Sequence, residues 1–200
     1  DRQSHRPFRR LAFADAGGLS TMPRKPAPVA LAPRKPPIVI VMGVAGAGKS
    51  TVGAALAQAL GCAFADADEF HPQANIEKMR AGRPLTDADR ASWLAAIAAR
   101  IDDWRAKGEG GVIACSALKR AYRRVIIGKR PELRLAYLRG DPALVRRRLT
   151  QRRHHFMPAS LLDSQFATLE RPTPDERAIC VSISGTPAQI AADIARAIGA

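Results

Sequence analysis

From residue 38 onward the apolar positions fall into two kinds of run that alternate along the chain. Ile38–Met42, Ala63–Ala67, Val112–Cys115, Leu133–Leu138 and Ile179–Ile183 are short and apolar, and each reads as a buried strand. Between them the spacing lengthens to a helical period. Ser50–Leu60 reads as a helix ended by Gly61, and Pro72 opens another to about Ala81, because proline suits the first helical position. Thr86 and Asp89 resemble a capping box ahead of Trp93, Ile97, Ile101 and Trp104. Lys119–Ile127 follows as a helix, then one begun by Asp141-Pro142 that carries Leu144, Val145 and Leu149. Leu161, Leu162, Gln165, Phe166 and Leu169 return to helical spacing. A last helix with Ile190, Ile194 and Ile198 is introduced by Thr186, Pro187 and Gln189. Strands alternating with helices predict an α/β fold, a parallel sheet covered on both faces.

Residues 1–37 do not share this pattern. Pro7, Pro23, Pro26, Pro28, Pro33, Pro36 and Pro37 stand among Arg and Lys with no periodicity, the mark of a disordered basic arm. Residues 38–200 are then a single domain. Met22 is the first methionine, and residues 1–21 read as a remnant of expression or of an upstream frame. The alternative is a targeting presequence, in which Arg2, Arg6, Arg9 and Arg10 alternate with Phe8, Leu11 and Phe13.

Composition narrows the function. The chain has 200 residues, 46% hydrophobic, enough to bury a core. No apolar run approaches the roughly 18 residues of a membrane span. Cys62, Cys115 and Cys180 are widely spaced and form no CxxC, which argues against a disulfide framework or zinc site and for a reducing compartment. The net charge of +14 first suggests a nucleic-acid or membrane partner. It is unevenly placed, however: residues 1–37 carry 8 basic and 2 acidic residues, and residues 119–155 carry 13 and 2.

The strongest chemical signal is Gly43-Val44-Ala45-Gly46-Ala47-Gly48-Lys49-Ser50, a full GxxxxGK[ST] between a hydrophobic strand and a helix. Glycines let the backbone curl into a concavity of N–H groups, and the helix N-terminus adds its dipole. Lys49 is placed for the β- and γ-phosphates and Ser50 for Mg²⁺, with Thr51 next in the loop. A Gly-rich turn that binds nothing is the competing reading, and the intact motif in its required context disfavours it. The loop implies a nucleoside triphosphate and leaves the phosphate acceptor open.

Asp66-Ala67-Asp68 ends the second strand, where ligands bind in an open α/β sheet. The two carboxylates are expected to point in different directions, one toward Mg²⁺ and the other toward an acceptor hydroxyl whose proton it takes. An acidic loop without chemistry is an equal reading on spacing alone. His71, Asn75, Lys78 and Arg83 gather polar groups near the same strand end, although each singly reads as a surface residue and His71 as a helix cap. The third strand ends in Cys115-Ser116-Ala117-Leu118-Lys119 with no carboxylate, so a metal-binding carboxylate must come from elsewhere, which favours Asp66. Cys115 reads as a small buried residue. Arg146, Arg147, Arg148, Arg152 and Arg153 lie between the fourth and fifth strands, in a stretch that reads as a lid over phosphates, a solvated helix face or a nucleic-acid patch. His154 and His155 have no partners at metal-ligand spacing.

From about Ile38 to the C-terminus the sequence resembles the gluconate kinases. The resemblance rests on Met42–Thr51, on His71-Pro72, Asn75-Ile76 and Lys78-Met79, and on Pro84-Leu85 through Asp87, Asp89-Arg90 and Trp93. It continues through Cys115–Lys119 with Tyr122-Arg123, and His155-Phe156 leading to Gln165-Phe166 and Leu169-Glu170. It implies a three-layer α/β/α P-loop kinase fold, with a five-stranded parallel sheet and a helical lid at about residues 148–170. It implies ATP-dependent phosphorylation of the 6-hydroxyl of D-gluconate with Mg²⁺, in a cytoplasmic and often dimeric enzyme with no nucleic-acid or membrane partner. In that frame Lys49, Asp68, Arg148 and Arg152 are catalytic, and Gly43–Thr51 hold ATP. Ser50 and Asp66 bind the metal, and Asp68, His71, Lys78, Arg83, Lys119 and His155 bind substrate. Shikimate kinases, of the same fold, usually carry a Gly-rich turn where this chain has Cys115–Lys119. The loop Ser184-Gly185-Thr186-Pro187 is expected beside adenine.

Overall fold

The structure, a computed structural model, describes residues 36–150 and 159–200. Five parallel strands form one sheet: β1 (Ile38–Met42), β2 (Ala63–Asp66), β3 (Gly111–Cys115), β4 (Arg134–Arg139) and β5 (Ile179–Ser182), in the order β2-β3-β1-β4-β5. The helices are α1 (Lys49–Leu60), α2 (Gln73–Arg80), α3 (Asp87–Lys107), α4 (Arg120–Ile127), α5 (Pro142–Thr150), α6 (Ala159–Thr168) and α7 (Pro187–Ile198). Among the described residues no helix is long and apolar enough to cross a membrane.

Strand alternation sorts the core into two layers. On β1, Ile38, Ile40 and Met42 face one cluster, with Trp93, Leu94, Ile97, Ile101 and Trp104 of α3 and Tyr122 and Ile126 of α4. Val39 and Val41 face the other, with Val52, Leu56 and Ala57 of α1 and Ile190, Ala191 and Ile194 of α7. β1 is therefore buried on both faces and central in the sheet, as its uninterrupted apolar run requires. The phosphate-binding motif leaves its C-terminal end at the point where the chain order reverses between β3 and β4.

Helix ends match the expected signals closely. Thr86 and Asp89 form a reciprocal capping box at α3, Thr186 and Gln189 do the same at α7, and Gly61 ends α1 in the left-handed conformation. Two elements differ from expectation. β2 stops at Asp66, and Ala67–Phe70 form a 3-10 turn; a second such turn spans Pro174–Glu176. Pro72 precedes the helix it introduces, in extended geometry, and His71 is not its cap.

Candidate active site

The loop after β1 takes its shape from glycine where glycine is required. Gly46 (φ +78°) and Gly48 (φ +92°) are left-handed, and a Cβ on Gly46 would meet Leu149 Cγ of α5 at 2.7 Å. Gly48 stands at the N-cap of α1 with no side-chain cap, and no acidic residue occupies the first turn. The N–H groups that open a helix can be offered to an anion. Lys49 Nζ lies 3.2 Å from the carbonyl of Val44, folded along the loop.

Ser50 Oγ donates to Asp66 Oδ2 at 2.6 Å. This pair joins the start of α1 to the end of β2 and offers a hydroxyl and a carboxylate side by side. Among the described residues no group of three His, Cys, Asp or Glu is arranged to hold a metal ion. Two protein oxygens suit Mg²⁺, which keeps waters and substrate phosphates as its other ligands. Asp66 Oδ1 accepts from the backbone N–H of Asp68 at 3.1 Å and so caps the 3-10 turn. The divergence expected of Asp66 and Asp68 had the wrong cause. Residues two apart on a strand share a face, and it is the exit from the strand after Asp66 that sets the two carboxylates on different backbone geometry. Asp68 is exposed at this strand end.

Next to it the acceptor side is assembled around the N-terminus of α3. Trp93 donates its indole N–H to the carbonyl of Ala67 at 2.6 Å, and the His71 ring stacks on it, centroids 4.7 Å apart. Buried Asn75 donates to the carbonyl of Asp89 at 2.8 Å, with its amide nitrogen 3.5 Å from His71 Nδ1. Burial lowers the His71 pKa, an effect opposed by Asp68 and reinforced by Arg90. A neutral ring whose Nδ1 accepts from Asn75 carries its proton on Nε2. Lys78 pairs with Asp89 at 2.6 Å, and that bond, with those from Thr86, holds the Asp89 carboxyl far below the usual range. Lys119 Nζ sits 2.9 Å from both oxygens of Asp87, which also accepts from Tyr122. Asp87 is lowered by Tyr122 first and Lys119 second, and Lys119 is raised in turn by Asp87. Arg83 stands exposed beyond α2, with only its backbone N–H bonded, to Lys78. Among the described residues its side chain makes no hydrogen bond to this cluster.

The Cys115–Lys119 turn is held by a residue whose role the sequence did not disclose. Arg123 is 1% exposed; it pairs with Glu176 through Nε at 2.5 Å and Nη2 at 2.9 Å. Its Nη1 donates to the carbonyls of Ala117, Leu118 and Glu170. Ala117 is left-handed (φ +41°), a conformation a non-glycine residue adopts only when its surroundings enforce it. Cys115 is buried below the turn, its thiol pushed up to about 12 by desolvation, so it is no nucleophile.

A cleft of about 370 Å³ opens on the other side of the phosphate loop, lined by Gly46–Gly48, Thr51, Val52, Arg148, Gly185, Pro187 and Ile190. Arg148 is anchored there, donating to the carbonyl of Ile183 at 2.6 Å. It borders the Ser184–Pro187 loop as well as the phosphate loop. Arg152 and His155 lie outside the described residues, as do residues 151–158 of the expected lid. A hollow of about 410 Å³ lies at the opposite end of β1, beside Ile38, and its Arg105, Asp102 and Glu132 are paired with one another. The basic block is not one continuous wall: Lys119, Arg120, Arg123, Arg130 and Arg146 pair with Asp87, Asp175, Glu176, Asp102 and Asp163.

The AAA domain family model matches residues 38–172. The gluconokinase of Gluconobacter oxydans is 48% identical over 148 residues, covering 74% of this chain and 83% of that protein. The chain belongs to the gluconokinase family. The thermosensitive gluconokinase of Escherichia coli K12 is 42% identical over 140 residues, 70% of this chain and 75% of its own. The crystal structure of a gluconokinase from Sinorhizobium meliloti superposes with a TM-score of 0.75 at 42% identity, covering 83% of this chain and 93% of that one. Shikimate kinase from Acinetobacter baumannii, at 20% identity and a TM-score of 0.52, shares the fold. Within the gluconokinase frame, the described motif stretches, Met42–Thr51, His71–Met79, Pro84–Trp93 and Cys115–Arg123, lie around the strand-end side of the phosphate loop. Gln165, quoted there only as part of a motif, proves to accept from the backbone N–H of Ala45 in the phosphate loop at 2.7 Å.

Proposed function

We propose that this chain transfers the γ-phosphoryl group of ATP to the 6-hydroxyl of D-gluconate, giving 6-phospho-D-gluconate and ADP. The observation that carries the reading is the junction of Ser50 with Asp66 at 2.6 Å, which sets the phosphate loop against a strand end whose next carboxylate, Asp68, faces the acceptor cluster. Identities of 41–48% to gluconokinases supply the acceptor.

Gly43–Thr51 form the phosphate loop and bind the phosphates through backbone N–H groups other than those of Ala45 and Ala47, and Lys49 swings from the Val44 carbonyl to the β- and γ-phosphates. Ser50 and Asp66 would hold Mg²⁺, whose charge offsets that of the phosphates. Asp68 accepts the proton of the 6-hydroxyl as its oxygen bonds to the γ-phosphorus; the bond to the β,γ-bridging oxygen breaks and ADP leaves with that electron pair. Neutral His71 donates from Nε2 to a substrate oxygen, and Lys78 and Lys119 offer cations to the carboxylate and hydroxyls. Arg148 acts on the nucleotide, beside adenine and Ser184–Pro187, and the charge-stabilising role passes to Lys49 and Arg152. Arg83 and His155 remain candidates for the sugar acid. The reading extends to a cytoplasmic homodimer that binds no nucleic acid.

Coupled ADP release measured over D-gluconate, shikimate and nucleoside monophosphates tests it. Turnover should be confined to gluconate; faster turnover on either rival would replace the acceptor. Salt-dependent retention of DNA by residues 38–200 would instead restore the nucleic-acid reading.

A further inference from the structure

The phosphate loop is gripped from outside by the two helices that flank residues 151–158. From α5, Leu149 and Val145 lie against Gly46 so closely that a Cβ there would sit 2.7 Å and 3.1 Å from them. From α6, Leu162 is 2% exposed in the same core cluster as Val44 and Ala47. Gln165 of α6 then reaches the loop itself, its Oε1 accepting from the Ala45 N–H across 120 residues of sequence. The donor is a backbone N–H, so the oxygen of the side-chain amide faces the loop and its NH₂ faces away.

That bond falls on one peptide unit held from both sides. The carbonyl of the Val44–Ala45 peptide accepts from Lys49 Nζ at 3.2 Å and from the Ala47 N–H at 3.2 Å, while its N–H is held by Gln165. The next residue is Gly46, which is left-handed and has no side chain. When Lys49 leaves Val44 for the phosphates, one of these restraints goes. The bond from α6 is the one that remains on the N–H side.

We propose that Gln165 is a positioning residue for the nucleotide: it fixes the Val44–Ala45 peptide plane, so that α6 sets the anion-binding shape of the loop. This rests on the nucleotide-binding reading above and adds a residue to it. Gln165 touches the loop and not the reacting atoms.

Two variants test it, with binding of a non-hydrolysable ATP analogue and Mg²⁺ followed by calorimetry in the absence of gluconate. Gln165→Met keeps the length of the side chain and loses the acceptor. Its affinity for the analogue should fall about three- to tenfold, the worth of one hydrogen bond. The KM for ATP should rise with it, while the KM for gluconate stays unchanged. Gln165→Glu keeps the acceptor but adds a charge beside an anion site. It should unfold at or above the wild-type temperature yet bind the analogue about tenfold more weakly at low salt, with the deficit shrinking as salt rises. Stability and affinity then move in opposite directions, which a merely structural role would not produce. The proposal is overturned if either variant binds the analogue like the wild type, or if affinity and both KM values simply follow thermal stability. A wild-type chain that binds no analogue would sink the nucleotide reading itself.

Discussion

On the proposed nucleotide side of the site the candidate binding groups are backbone N–H groups within the Gly43–Ser50 loop, shaped by Gly46 and Gly48 and by the uncapped start of α1. On the acceptor side they are side chains drawn from the turn after β2, from α2, from the start of α3 and from the end of β3, and nearly all are engaged with each other. Lys78 is on Asp89, Lys119 on Asp87 with Tyr122, and His71 on Trp93. The difference separates two ways of making a site. Backbone donors cannot be traded for other chemistry without changing the fold, and the fold is shared with kinases that have only 16–20% identity to this chain. The cations of the acceptor half are held by acids of the same protein, and on the proposed reading they would exchange those partners for a substrate carboxylate. An anionic, multiply hydroxylated acceptor can repay that exchange, whereas a neutral one leaves the internal pairs intact.

The comparison breaks most decisively at Asp68. Asp68→Asn should cut turnover about a hundred- to ten-thousandfold, the usual worth of a general base. ATP binding should stay near wild type, and a variant that keeps its turnover in the ADP-release assay would remove Asp68 from the chemistry. Next in size is the scaffold of the acceptor half. Arg123→Met leaves the carboxylate of Glu176 buried without its partner, a change worth about 3–5 kcal/mol. Urea unfolding should register that loss, and an unchanged midpoint would mean that the Cys115–Lys119 turn does not depend on it.

Smaller effects sharpen the division. Lys119→Met should raise the KM for gluconate about tenfold and spare ATP, and Arg148→Ala should do the reverse by about three- to tenfold, each the loss of one or two polar contacts. Steady-state kinetics in which either variant moves both constants equally would erase the boundary between the halves. The smallest effect concerns His71. Its pKa is depressed by burial, so the folded protein takes up this proton later than the unfolded chain as pH falls. The contribution to stability is complete above the ordinary value of 6.5 and is lost as pH drops from there toward the folded pKa. Histidine NMR titration should find His71 below that ordinary value, and a value raised well above it would leave the ring cationic at neutral pH and remove the Nδ1 acceptor that faces Asn75.

What could be read from sequence was local. Strand runs, the phosphate loop, and the capping boxes of Thr86 with Asp89 and Thr186 with Gln189 are each complete within a few residues, and the structure has them within a residue or two. Asp66 stands out by elimination as the candidate metal carboxylate, because β3 ends without one, and in the structure it accepts from Ser50. Arg123 was invisible as a buried cation: its partners Glu176 and Glu170 are 53 and 47 residues away, and it sits in a helix whose neighbours Arg120 and Arg124 look the same in sequence. Gln165 escaped for the same reason, its partner being 120 residues distant. The charge count is incomplete in a similar way. Lys119, Arg120, Arg123, Arg130 and Arg146 of the Lys119–His155 block pair with acids from other segments, which no count within the segment reveals.

Cys115 lies under all of this, 1% exposed and close enough to Lys49, Asp66 and Asp68 for each to influence its thiol, while Cys180 is exposed and Cys62 lies between. The protein thus carries three natural reporters at graded depth. An alkylating reagent would mark Cys180 at once, but could reach Cys115 only when the floor of the site opens. The rate of that slowest reaction is a clock for local opening, readable by mass spectrometry on the unaltered chain, and any ligand that braces the strand ends above it will make the clock run slow.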